Sequence, residues 1–225
     1  MYPQRQEDSV SGWFVLGAMS LSGLAGFTNS AALQLGSLAV SHLTGSITRV
    51  SVELAEGDTR TMVPFTVVLL AFFLGAALSG AVVSQKELGF GRRYGALLVL
   101  EAGLLAMAAS LALPPTRLVS VALAAFACGL QNALASSYRG MVVRTTHMTG
   151  VVTDLGFEFG VWLRIRRIRM QLLKLQVPVL VSFLVGGALG ALMAMRIGSH
   201  SLYVAALAAF VTGVGYLLLH AGKLV

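Results

Sequence analysis

Two stretches of this chain carry the same polar residues at the same spacing. SHLTGSITRVSVE begins at Ser41 and THMTGVVTDLGFE at Thr146, and they share His, Thr, Gly, Thr and Glu. The pairs are His42 and His147, Thr44 and Thr149, Gly45 and Gly150, Thr48 and Thr153, and Glu53 and Glu158. Threonines four apart share one helical face. Glycine weakens a helix and lets backbone approach a ligand, and a helix start aimed at a solute offers free N–H groups and the positive end of its dipole. Histidine takes either charge state near neutrality and so suits proton coupling. The same residues also serve plain packing, with Gly allowing close approach and Thr bonding back to its own helix. Two histidines without further ligands do not make a metal site, and no cofactor is expected.

Amides stand at equivalent positions too. Asn29 lies in GFTNSAALQ and Asn132 in GLQNALASS, with Thr28 and Gln131 beside them. Each amide donates and accepts, which fits a neutral or zwitterionic solute as well as a neighbouring helix. Charged groups near these motifs, Arg49, Glu53, Arg144, Asp154 and Glu158, suggest a network in which Arg49 or Arg144 neutralises the Asp154–Glu158 pair, one helical turn long. Glu101 stands inside an apolar stretch, where its counterpart in the second half is Phe210. A carboxylate costs several kcal/mol there unless it faces protein or water, so it is a candidate proton acceptor.

These residues need elements to hold them, and composition restricts those elements to membrane helices. Of the 225 residues 56% are hydrophobic and 11% charged, and mean hydropathy is +0.82. A water-soluble domain typically has about 25% charged residues, so lipid must cover this chain's outside. Six stretches are long enough to cross a bilayer: Gly12–Gly36, Met62–Ser84, Tyr94–Leu113, Leu118–Ser137, Leu172–Met195 and Leu202–His220. The TG-containing segments between them, Ser37–Glu56 and Met141–Leu163, read as short or re-entrant helices. The first apolar stretch is long enough to remain as a span, and no secretory signal peptide is expected.

The halves correspond in order. FFLGAALSGA from Phe72 aligns with FLVGGALGAL from Phe183, and YGALLVLEAG from Tyr94 with YVAALAAFVT from Tyr203. Residues 1–113 and 114–225 are therefore two three-span repeats of one membrane domain. An odd number of spans makes the second copy enter from the opposite side, the inverted arrangement of many secondary transporters. Small residues four apart, Gly75 with Ser79 and Gly186 with Gly190, are expected at close helix contacts.

The net charge of +7 falls between the apolar runs and sets orientation. With the N-terminus inside, Arg5, Lys86, Arg92, Arg93, Arg139, Arg144, Arg164, Arg166, Arg167, Arg169, Lys174 and Lys223 are cytoplasmic. Arg49, Arg60, Arg117 and Arg196 lie outside. The run RIRRIRMQLLK, Arg164–Lys174, should meet anionic lipid headgroups. It lacks interleaved aromatic residues, so nucleic acid is not an expected partner. Cys128 has no partner for an internal disulfide and reads as a small buried hydrophobe.

The motifs HLTGSITR and CGLQNALASSYRGMVVRTTHMTGVVTDLG resemble the YoaK family of bacterial transmembrane proteins, a domain-of-unknown-function family, and the resemblance covers essentially the whole chain. It implies a small polytopic membrane protein without an established activity. It also implies Asp in many relatives where this chain has Asn29, a departure that removes a carboxylate. The expected fold is an all-α integral membrane protein of about six spans in two inverted repeats. The expected function is a small-solute permease or channel-like transporter of the bacterial inner membrane, both termini cytoplasmic, with its site at the repeat interface. No nucleophile elbow, HExxH pair or phosphate-binding loop is present, so an enzyme is not expected. A membrane-embedded enzyme and a nontransporting structural or partner-binding protein stand as alternatives. Besides lipid and an unknown solute, a homo-oligomer is among the expected partners.

Overall fold

The computed structural model describes residues 11–36, 38–83, 92–136 and 145–219. The chain there is helical: α1 Gly12–Gly36, α2 Leu43–Glu56, α3 Thr59–Val82, α4 Arg92–Ser110, α5 Arg117–Ser136, α6 Met148–Ile165, α7 Met170–Ile197 and α8 Ser201–Leu219. Hydrocarbon offers no partner for backbone N–H and C=O groups, so an apolar chain satisfies them within each helix. Arg144 lies outside the described residues, as do Arg5, Lys86, Arg139 and Lys223.

Four segments are long and apolar enough to cross a membrane: 59–82, 92–110, 117–134 and 170–219. The last is 50 residues, about 75 Å if straight at 1.5 Å per residue, more than twice a hydrocarbon core. Gly198, at φ +59°, breaks it into α7 and α8 through a single tight turn, Gly198–His200. The chain is therefore an all-α, multi-pass membrane protein.

Sharp turns join the short helices to the long ones. Gly57 ends α2 in the left-handed conformation at φ +75°, and Asp58 then caps α3 by accepting from the N–H groups of Arg60 and Thr61 at 3.0 and 3.1 Å. The Thr61 hydroxyl, donating to the other Asp58 oxygen at 2.7 Å, and then these N–H groups hold the Asp58 carboxyl below its ordinary range. The α6–α7 turn uses Arg166 in the left-handed conformation instead, at φ +56°, with its guanidinium 5.0 Å over the Trp162 ring.

The long helices pack across the two halves. Helix α1 lies on α7, α5 on α3, and α4 on α8. The first two seams repeat one contact. A Cβ on Gly75 of α3 would overlap the Phe126 carbonyl of α5, and one on Gly129 of α5 would overlap the Phe72 carbonyl of α3. Gly186 of α7 stands likewise against the Gly23 carbonyl of α1, and Gly26 against that of Phe183. These positions correspond between the halves. Without a hydrophobic drive between helices in lipid, this approach supplies the association. Ser79 is buried and Gly190 abuts the Phe27 carbonyl, so all four expected small residues lie at helix contacts.

Candidate functional site

Each short helix starts against an amide inside a long one. In the first half Asn29 of α1 accepts from the backbone N–H of Ser41 at 3.0 Å and from the Ser41 hydroxyl at 2.8 Å. Its amide nitrogen then faces Nδ1 of His42, 3.0 Å away, at the residue that opens α2. In the second half the N–H of Thr146 reaches Oδ1 of Asn132 at 3.4 Å, and His147 opens α6. Neither histidine caps its helix with its side chain.

Both junctions are built from both halves. The His42 ring meets the edge of Phe183 on α7, centroids 6.4 Å apart. Ser22 of α1 donates to the carbonyl of Thr145, just before α6, at 3.3 Å, and to that of Val179 on α7 at 2.9 Å. Gln131 of α5 donates to the Leu21 carbonyl of α1 at 2.8 Å. Oε1 of Gln131 and the hydroxyls of Thr28 and Thr145 are buried without a hydrogen-bond partner among the described residues. Buried polar groups are nearly always satisfied, so such atoms mark places that other matter can complete.

Apart from the contacts of His42 with Asn29 and Phe183, the TG residues face away from the packed helices. His42, Thr44, Gly45, Thr48, His147, Thr149 and Thr153 are exposed. Thr48 bonds back to the Thr44 carbonyl at 3.0 Å and Thr153 to that of Thr149 at 2.8 Å. Among the described residues a Cβ on Gly45 would meet nothing, and one on Gly150 would first meet the ring of its own His147. Neither glycine stands at a helix crossing among the described residues. A groove of about 590 Å³ lies between α1, α7 and α8, lined mainly by apolar residues such as Leu16, Phe27, Val185 and Ala208, and contains no TG residue.

The charged residues pair differently from the expected network. Among the described residues Arg49 reaches Glu53, one turn along α2, at 3.8 Å. Glu158, buried on α6, is held by Arg169 at the start of α7: its carboxylate accepts from the Arg169 Nε at 2.6 Å and from the Arg169 backbone at 3.2 Å, and forms an ion pair with the guanidinium. These bonds hold the Glu158 carboxyl below its ordinary range. Exposed Asp154 accepts from Gln176 at 2.7 Å. Among the described residues Arg49 therefore reaches no acid of the other half, and Arg169, assigned from sequence to orientation and lipid headgroups, answers Glu158 locally. The signal for it is chemical only: a cation must answer a buried carboxylate, but a separation of eleven residues across a turn has no helical periodicity.

Glu101 is 1% exposed in the middle of α4, and its Oε2 has no partner among the described residues. Cys128 of α5 is its electrostatic neighbour. The aligned Phe210 is 48% exposed, whereas Ala209 is fully buried. By burial, the counterpart of Glu101 is a small core residue rather than an aromatic ring, a shift of one position. Among the described residues no group of three or more His, Cys, Asp or Glu is arranged to hold a metal.

The chain matches the family described as "Protein of unknown function (DUF1275)" over residues 17–215. It belongs to that family. It is also 32% identical over 190 residues to the UPF0700 transmembrane protein RA0705 of Rhizobium meliloti, covering 84% of this chain and 80% of that one. No solved structure matches. Family and relative agree with the YoaK-type resemblance and with a transmembrane protein. The junctions at Asn29 and Asn132 fall within the matched region.

Proposed function

We propose that the chain is a small-solute transporter of the bacterial inner membrane, with six spans, α1, α3, α4, α5, α7 and α8, in two inverted repeats. The observation that carries this is the position of the short helices. Asn29 is seven residues before the end of α1, about 10 Å inside it at 1.5 Å per residue, and α2 starts there. An uncapped helix start held at that depth, with an exposed imidazole and Thr side chains around it, is the kind of broken-helix site that transporters use. The second copy at Asn132 and His147 supplies the same elements. The seams α1–α7 and α3–α5 suit two halves that rock against each other. No reaction is assigned, and the site residues bind rather than transform.

Orientation follows from the turns. The Gly57–Asp58 turn has acids close by, whereas Arg164, Arg166, Arg167 and Arg169 crowd the turn between α6 and α7. In the inverted arrangement these turns lie on opposite faces, the basic one cytoplasmic and beside anionic headgroups, and both termini are inside. Reporters inserted at Gly57 and at Arg167 should report periplasm and cytoplasm respectively. A cytoplasmic signal at Gly57 would overturn the inversion.

Flux tests the transport itself. Proteoliposomes challenged with a panel of amino acids, sugars and small anions, with and without a pH gradient, should take up at least one class, and Asn29→Ala should lower that uptake. The exposed Thr44, Gly45 and Thr48 favour one other reading, in which this face docks a second copy or a partner. No flux across the panel, together with a stable oligomer in detergent, would favour that reading.

A further inference from the structure

We propose that Asn29 and His42 form a proton-operated latch that holds the start of α2 to α1. A backbone N–H only donates, so the Asn29 atom that faces the Ser41 N–H is its oxygen. The amide nitrogen, a donor, must then face His42 Nδ1. Nδ1 therefore accepts, and the ring is the neutral tautomer with its proton on Nε2. A second proton has one place to go, Nδ1. Binding it turns the acceptor into a donor, sets N–H against N–H, and breaks the contact while the two Ser41 bonds remain. The imidazolium would also stand at the positive end of α2, which disfavours its staying there.

Among the described residues the ring has no counter-ion. Helix α1 has no charged residue; α7 presents Phe183 to the ring, and its charged residues Lys174 and Arg196 stand nine and thirteen positions from Phe183. The first charged residue along α2 is Arg49, two turns on and paired with Glu53, and α3, packed against α2, has only Arg60. His42 is exposed on the side away from Asn29, which gives the proton a route. The latch stands on this geometry alone; its use as the coupling-proton site rests on the transport reading.

Two measurements on the full chain in detergent test the latch without any flux. Nitrogen-15 spectra of the imidazoles across a pH series, with His42→Gln identifying the His42 signals, should show the Nε2–H tautomer in the neutral ring and a proton on both nitrogens once the ring is charged. Across the same series, hydrogen exchange of amides 46–48, the first hydrogen-bonded ones of α2, corrected for the intrinsic rate, should speed up about tenfold in the native chain, the loss of one well-placed hydrogen bond. His42→Gln should remove that dependence. Asn29→Asp should reverse its sign, because a carboxylate accepts from Nδ1–H and tightens as the ring charges. An Nδ1–H tautomer in the neutral ring, or the same exchange profile in the native chain and His42→Gln, would overturn the latch. If Asn29→Asp fails to fold, the tautomer and the His42→Gln profile still decide. A latch that behaves as stated in a protein without flux would separate this inference from the transport reading.

Discussion

The two short-helix hairpins, α2–α3 and α6–α7, share one sequence pattern and are stabilised by different chemistry. The first closes with Gly57 in the left-handed conformation and the Asp58 cap. The second closes with a non-glycine left-handed residue, Arg166, and ties α6 to α7 through Glu158 and Arg169. Among the described residues the equivalent carboxylate of the first hairpin, Glu53, has the looser intrahelical contact with Arg49. Equivalent backbone therefore does not require equivalent side-chain partners. What the halves keep in common is the glycine seam and the amide at the start of each short helix; what they vary is charge.

The strongest way to break the comparison is at the shared seam. Gly75→Leu and Gly186→Leu put side chains where backbone carbonyls already stand. Each should cost at least about 1–3 kcal/mol, the usual penalty of overpacking, with similar losses for the two. Thermal unfolding in detergent measures both. A large effect at one and silence at the other would mean that the two seams do not bear equal load.

The hairpins themselves should then separate. Arg169→Ala leaves the buried Glu158 without its cation, so it should lower stability more than Arg49→Ala, whose partner is one turn away and whose own side chain is exposed. Acid should reproduce the difference. The Glu158 carboxyl is depressed in the folded chain, so its stabilising contribution is complete above the ordinary carboxylate value of about 4.3 and is lost as pH falls through the lower folded value. Arg169→Ala should flatten that acid limb, while Arg49→Ala should leave it in place. Unfolding midpoints from about pH 6 down to about pH 3 would show whether it does.

The smallest effect concerns the two TG glycines. Gly45→Ala adds a methyl to open space and should stabilise α2 by about 0.5–1 kcal/mol through helix propensity. At Gly150 the same methyl would displace the His147 ring, and the gain should vanish or reverse. Equal shifts in unfolding midpoint for the two variants would show that the His147 ring yields freely.

Much of the architecture was legible in the residues alone. Long apolar runs require helices in lipid, so α1 ends where its apolar stretch does, at Gly12 and Gly36, and the other long helices begin and end within three residues of the expected limits. The spacing of Gly75, Ser79, Gly186 and Gly190 marked the contact faces because one helical face repeats about every four residues. The TG motifs marked two short helices, which start later than expected, at Leu43 and Met148.

Periodicity identifies which face of a helix is buried but not what it is buried against. That is why only the tertiary structure decided that α1 lies on α7 and α5 on α3, that Asn29 grips Ser41 and His42, and that Glu158 is answered by Arg169 rather than by Arg49. It also decided that Gly45 opens outward and Gly150 faces its own His147 ring, where the sequence allowed a packed interface equally well. The physical reason is the same in each case. Residue type determines what a group needs, a donor, a cation or room, and the choice among several suppliers belongs to turns such as Gly57 and Arg166 and to the crossing of whole helices.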